Sequence, residues 1–303
     1  MTANLNIIIP ERKLRKPVKP KHPALPLRLM QLAFGSLGRV FPRLFSNIAL
    51  KFFSTPRKKA RHKVSDKILE QAQISDILIG GNMLKVYEWG KGNKTVLLVH
   101  GWESRGTGLR SFVPNLVKAG YRVVAFDAPG HGDSGGTRLY LKDYGNAVSA
   151  IYHKYGNVEG IICHSFGGAG VAYAMSQTDP KMSIKSLVLV GVPSAISYPV
   201  YNALRTMNAP PAVRKYFIEG LEKLAGVEIE KMTFEKLNKK MKVERTLVVH
   251  DKQDEQVKFE EAENIVKYWE NAKLQVTDGF GHFRLIKSKQ VVERVADFII
   301  NPT

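Results

Sequence analysis

A chain of 303 residues that is 44% apolar and 24% charged, with 25 glycines and 15 prolines, has the composition of a protein with a large core, which excludes a fibrous or wholly disordered chain. Its single cysteine, Cys163, rules out an intramolecular disulfide and with it a disulfide scaffold, and points to a reducing, cytoplasmic compartment. The net charge of +19 is unevenly placed: residues 1–63 hold fifteen basic residues against Glu11 alone, so this segment carries +14 and the other 240 residues only +5.

The N-terminal segment divides in two. Residues 10–23, PERKLRKPVKPKHP, are basic and broken by proline, and read as a solvated arm. Beyond them Met30, Phe34, Leu37, Phe41, Leu44, Ile48 and Phe52 recur at spacings of three and four, predicting helix, with Pro42 dividing it into two. The longest uncharged run, Leu29 to Gly38, has ten residues, too short for a spanning helix, which needs roughly 18–20. Three readings remain. The stretch lies on an anionic membrane surface, with its phenylalanines and leucines in the acyl boundary and Arg39, Arg43, Lys51 and the Arg57-Lys58-Lys59 cluster near headgroups. Alternatively it packs on its own domain or on a partner subunit, or it is a cleaved targeting peptide, although it has few serines and no secretory-type apolar run. No DNA- or RNA-reading motif accompanies the charge, so no specific nucleic-acid partner is expected.

Residues 64–303 form the body. Strands are predicted at 73–79, 83–89, 95–100, 122–127, 159–163, 184–191, 245–250 and 272–277. The first two alternate like half-exposed edge strands; the central ones are nearly continuous Val, Leu and Ile, as in a parallel sheet covered on both faces. Helical patterns at 107–119, 138–155, 166–178, 257–270 and 288–300 fill the gaps, which is the alternation of a doubly wound α/β fold with eight strands. Residues 193–243 break this rhythm. Their prolines and short amphipathic pieces read as a helical cap, whose Tyr198, Tyr201, Leu204, Met207, Tyr216, Phe217 and Leu221 suit an apolar acyl group.

A predicted strand runs into Cys163-His164-Ser165-Phe166-Gly167-Gly168 and a helix follows, which places Ser165 at a strand-to-helix turn whose neighbours must be small. Upstream, VLLVHGW ends at Trp102; downstream, RTLVVH leads into DKQDEQV, and AKLQVT into DGFGHF. In these motifs the chain resembles the α/β-hydrolase superfamily, in particular its compact bacterial serine esterases and lipase-like members, over residues 83–300. Cys163 departs mildly from the usual G-x-S-x-G form of the turn.

The resemblance implies a nucleophile at Ser165, a general base at His282 and an orienting acid at Asp254, with Asp251 the runner-up for the acid. It also implies an oxyanion hole made by the backbone N–H groups of Trp102 and Phe166. His100 and the FDAPGHGDSGG turn with Asp127 are expected to support loops, and His164 to lack a triad role. With serine at the turn, the aspartate-dependent dehalogenases and epoxide hydrolases of the superfamily are disfavoured. The expected reaction is cleavage of a small-molecule carboxylic ester through an acyl-enzyme, with no metal or cofactor. Thioesterase, peptidase or acyltransferase activity on the same triad, or a non-catalytic binding role, are the alternatives. The competing reading of Ser165 is a helix-capping serine, and that of Cys163 a small buried residue.

Overall fold

The strands are β1 (Gln73–Ile79), β2 (Asn82–Trp89), β3 (Thr95–Val99), β4 (Arg122–Phe126), β5 (Val158–His164), β6 (Ser183–Val190), β7 (Lys242–Asp251) and β8 (Ala272–Thr277). In the computed structural model, which describes residues 7–9, 25–60 and 66–301, they form one sheet in the order β1-β2-β4-β3-β5-β6-β7-β8. The pairs β1/β2 and β2/β4 are antiparallel and all others parallel. Gly80 and Gly81, both at positive φ, close the two-residue β1–β2 hairpin in the backbone region that its twist requires. β1 is an edge strand, but β2 is not. It lies between β1 and β4, and its polar alternation arises because Lys85 and Glu88 are only half-buried there. Ile8 runs along the outer edge of β8, its N–H donating to the Val276 carbonyl and its own carbonyl accepting from Asp278.

The helices are α1 (Leu25–Val40), α2 (Pro42–Ser54), α3 (Lys67–Glu70), α4 (Val113–Lys118), α5 (Leu141–Tyr155), α6 (Phe166–Tyr173), α7 (Ser197–Thr206), α8 (Pro211–Ala225), α9 (Phe234–Leu237), α10 (Phe259–Tyr268), α11 (Gly281–Arg284) and α12 (Lys289–Ile300). One sheet face buries α5, α6 and α10; Tyr144, Ala147, Val148 and Ile151 of α5 meet Leu97, Val99 and Ile161 there. The other buries α4 and α12, with Val291, Val295 and Phe298 against Val96, Leu98 and Ile162. The central strands are thus apolar on both sides, which explains their unbroken Val and Leu runs.

A separate apolar cluster joins the two ends of the chain's helical surplus. Phe34, Phe45 and Ala49 of α1 and α2 pack with Val200, Leu204, Val213 and Phe217 of α7 and α8. The N-terminal helices and the 193–243 insertion are therefore one layer. This corrects two expectations. Leu204, Met207 and Phe217 are buried in that interhelical core and do not face a ligand. The N-terminal stripe is also split: Phe34 is buried, whereas Leu37, Phe41, Leu44 and Phe52 are exposed, because the chain turns at Phe41-Pro42 and the two helices present different faces. The basic arm at 10–23 lies outside the described residues. No helix among the described residues is long and apolar enough to cross a membrane.

Candidate active site

All candidate residues sit beyond the carboxyl ends of parallel strands, where backbone amides and loop side chains converge. Ser165 follows β5 at φ 53° and ψ −124°, a conformation that costs a non-glycine residue of order 1–3 kcal/mol and persists only where the surroundings enforce it. They do so here. The Ser165 N–H donates to the Val190 carbonyl at 3.0 Å, and a Cβ on Gly167 would lie 2.4 Å from the Val99 carbonyl oxygen, so the turn is wedged against β3. Ser165 occupies the N-cap position of α6, yet its side chain makes no capping hydrogen bond, so the hydroxyl is not engaged there. Cys163, in the first small position, is fully buried, and burial pushes its thiol up.

His282 opens from the loop after β8, and its Nδ1 lies 2.7 Å from Asp254 Oδ2. Both are nearly fully buried. Burial alone would raise the Asp254 carboxyl; the His282 hydrogen bond and the Val257 and Gln256 amides on Oδ1 outweigh it and hold the carboxylate below its usual range. An ionised Asp254 accepts the hydrogen bond of Nδ1–H, which in the neutral ring leaves the other imidazole nitrogen as the acceptor. Gly191 ties the two sides of the site together: a Cβ there would meet the His282 ring at 3.3 Å, and it follows Val190, whose carbonyl accepts from the Ser165 N–H.

Asp251, the alternative acid, goes elsewhere. It is fully buried and accepts from Thr277 Oγ1 at 2.7 Å, Phe280 N–H at 2.9 Å, Gln253 N–H at 2.9 Å and Gly279 N–H at 3.3 Å. It braces the loop that carries His282, and Asp254 alone of the two reaches the imidazole.

Trp102 and Phe166 lie together, their rings 5.9 Å apart and edge to face. Phe166 is the first residue of α6, so its N–H has no acceptor within the helix. Gly101, just before Trp102, lies against Ser165: a Cβ there would be 3.0 Å from Ser165 Cβ. This loop is held by His100, whose Nδ1 donates to the Gly101 carbonyl (2.7 Å) and whose Nε2 accepts from Ala128 N–H (3.0 Å), while Tyr144 donates its hydroxyl to the His100 carbonyl. Burial lowers His100 to about 4. Asp127 accepts from Gly106 N–H (2.6 Å), Asp133 N–H (2.8 Å) and the Tyr87 hydroxyl (2.9 Å), and so braces its loop.

Three supports were not read from the sequence. His164 donates from Nε2 to the His282 carbonyl at 3.0 Å, clamping the histidine loop from beneath the turn; burial, then the neighbouring His282, lowers it to about 3. His250 lies 3.7 Å from Asp254 Oδ2 and donates to the Val257 carbonyl. Glu103, at φ 52°, is gripped by Arg57, which reaches it with both backbone and guanidinium N–H groups. Only the adjacency of His164 to Ser165 carried a signal in the sequence; the other two contacts depend on the tertiary path. His153 is an exposed partner of Asp179, and His22 and His62 lie outside the described residues.

A family profile described as "Serine aminopeptidase, S33" matches residues 90–268, a span that includes Ser165 and Asp254. Curated relatives match locally. One is the 2-hydroxy-6-oxononadienedioate/2-hydroxy-6-oxononatrienedioate hydrolase of Escherichia coli O81, 44% identical over 59 residues, 18% of this chain and 20% of that protein. The Klebsiella pneumoniae enzyme of the same name is 32% identical over 128 residues, 37% of this chain and 41% of its own. The matches thus span between 20% and 41% of those relatives' length. Among solved structures, a Pyrococcus furiosus esterase superposes with a TM-score of 0.59 at 21% identity, over 81% of this chain and 95% of its own. With the profile covering more than half of the sequence and the sheet order in agreement, the chain belongs to the serine aminopeptidase S33 family of the α/β-hydrolase superfamily.

Proposed function

We propose that the protein is a serine hydrolase that cleaves carboxylic esters. The observation that carries this reading is the buried 2.7 Å bond between His282 and Asp254 beside a serine held in the strained turn. In the proposed cycle the imidazole nitrogen opposite Nδ1 takes the Ser165 proton as Oγ attacks the ester carbonyl. The oxyanion forms at the Trp102 and Phe166 amides, each such donor being worth about 2.7–4 kcal/mol in hydrolases of this kind. His282 then protonates the departing alcohol, leaving an acyl-enzyme on Ser165. Water, deprotonated by the same imidazole, attacks that acyl group; the imidazolium returns the proton to Ser165 Oγ as the acyl bond breaks, and the acid is released.

Cleavage of a substrate like those in the names of the enterobacterial relatives is the second reading, favoured by the local sequence matches. The same residues also suit thioester or peptide bonds, since fold and triad leave the substrate open.

The test is a fluorophosphonate probe with mass-spectrometric mapping on the native chain, Ser165→Ala and His282→Ala. An adduct on Ser165 that vanishes in both variants is expected. A folded native chain without adduct overturns the reading. A panel of p-nitrophenyl esters, thioesters, aminoacyl amides and a 2-hydroxy-6-oxo dienedioate then separates the substrate classes.

A further inference from the structure

The helical layer buries one side of α1 and α2 and leaves the other bare. Leu25, Leu29 and Leu32 follow one another at the spacing of a single helix face, and all three are more than half exposed, at 69%, 57% and 68%. Leu37, Val40, Phe41 and Leu44 continue the apolar surface around the Pro42 corner, and Phe52 extends it along α2. Cations edge it: Arg28, Arg39, Arg43 and Lys51 are exposed on the same two helices, followed by Arg57, Lys58 and Lys59. Between Glu11 and Asp66 the chain has no acidic residue.

That charge pattern selects the occupant. A symmetric contact with a second copy would oppose cations to cations across the same patch, because a two-fold interface pairs a surface with itself. An anionic lipid surface answers both features, taking the leucines and phenylalanines into the acyl boundary and the arginines and lysines into the headgroups.

The patch is also wired to the active-site loops. Where α2 ends, the Ser54 carbonyl accepts from Leu139 N–H, Arg57 holds Glu103 beside Trp102, and Lys59 donates to the Ser134 carbonyl. We propose that α1 and α2 dock the protein on an anionic phospholipid surface and present the active site to acyl esters held in that surface. The second half of this statement rests on the esterase reading; the docking does not.

The experiment is co-sedimentation of the full chain with phosphatidylcholine vesicles and with vesicles in which about one third of the lipid is phosphatidylglycerol. Truncation before residue 64 is unsuitable, since it removes Phe34 and Phe45 from the layer's core. Two exposed-site variants replace it: Leu29→Gln/Leu32→Gln/Leu44→Gln and Arg28→Gln/Arg39→Gln, each checked for an unchanged melting temperature. The native chain is expected to pellet with anionic and not with neutral vesicles. The double arginine variant should bind roughly 30-fold more weakly, from about fivefold per cation, and the leucine variant more weakly still.

Docking is overturned if the native chain stays in the supernatant, if it binds both vesicles equally, or if both variants bind like the native chain. A concentration-dependent dimer that the leucine changes abolish, without vesicle binding, overturns it in favour of a second copy. Fluorophosphonate labelling of the same preparations reads the esterase proposal separately. Vesicle binding with no label leaves docking standing and removes the enzyme reading; label without vesicle binding does the reverse.

Discussion

The loops at the carboxyl ends of the strands and the helical layer are stabilised by different physics. In the loops, buried polar groups meet directional partners: Asp251 takes three backbone amides, Asp127 two, Asp254 two and an imidazole. In the layer, ten buried apolar residues supply the cohesion. Directional bonds place atoms to within tenths of an ångström, as reacting groups need; apolar burial is non-directional and sets only which face is covered. That difference explains how the layer can leave a second apolar face to solvent while each of these buried carboxylates of the loops is held by several donors.

The largest effect should come from breaking one directional bond. Asp254→Asn keeps the shape but loses the charge that holds the His282 tautomer, and should lower kcat for an ester by about 10⁴-fold with little change in melting temperature. Removing a core ring from the layer acts oppositely. Phe34→Ala should cost about 3–5 kcal/mol of stability, and hydrogen exchange should rise in α7 and α8 before β5 and β6. Equal loosening of the sheet would mean that the two regions are one cooperative unit.

Acid should weaken the loops next. His100, His131 and His164 are buried, and burial lowers them to about 4, about 4 and about 3 respectively. The unfolded chain binds protons at these histidines first, near 6.5, so their stabilising effect is complete above that value. It is lost as pH falls from 6.5 toward 4, by up to about 1.4 kcal/mol per pH unit for each histidine. Thermal melts from pH 7.5 to 4.5 read this directly, and His131→Gln should flatten the slope. A flat profile in the native chain would remove these histidines as the acid-sensitive element.

Asp251→Asn comes fourth, leaving loop donors poorly matched at about 1–3 kcal/mol, with a lower melting temperature and a smaller loss of kcat than Asp254→Asn. A larger loss of kcat would exchange the roles of the two acids. Smallest is Arg57→Ala. The Arg57 side chain is 84% exposed, so loss of its pair with Glu103 should cost only about 0.2–1 kcal/mol, and 1 M salt should mask the difference in melting temperature.

Much of this was legible in one dimension because it depends on local rules. Strand runs of Val and Leu, amphipathic helices and a serine between a strand and a helix need only near neighbours, and all eight strands lie within three residues of their predicted bounds. The choice between Asp254 and Asp251 was not local. Three residues apart at the end of β7, they differ in whether they face an imidazole or a row of backbone amides. The fate of Tyr198 and Phe217 was equally hidden. Both belong to a cap whose composition suits an apolar acyl group, but Phe217 fills the core made with α1 and α2, while the Tyr198 hydroxyl bonds the Gln256 carbonyl beside Asp254.

By itself, the sequence determined the α/β alternation and the strand-to-helix turn at Ser165, since periodicity and turn chemistry are properties of short segments, while the resemblance of short motifs to the α/β-hydrolase superfamily singled out Asp254 and His282 as candidates. Only the tertiary structure decided which aspartate meets His282, which face of α1 and α2 is covered, and that residues far apart in the chain form one helical layer. Those outcomes depend on the relative placement of segments 28 residues apart for Asp254 and His282 and more than a hundred apart for the helical layer, and burial and hydrogen bonding are settled only when such segments meet.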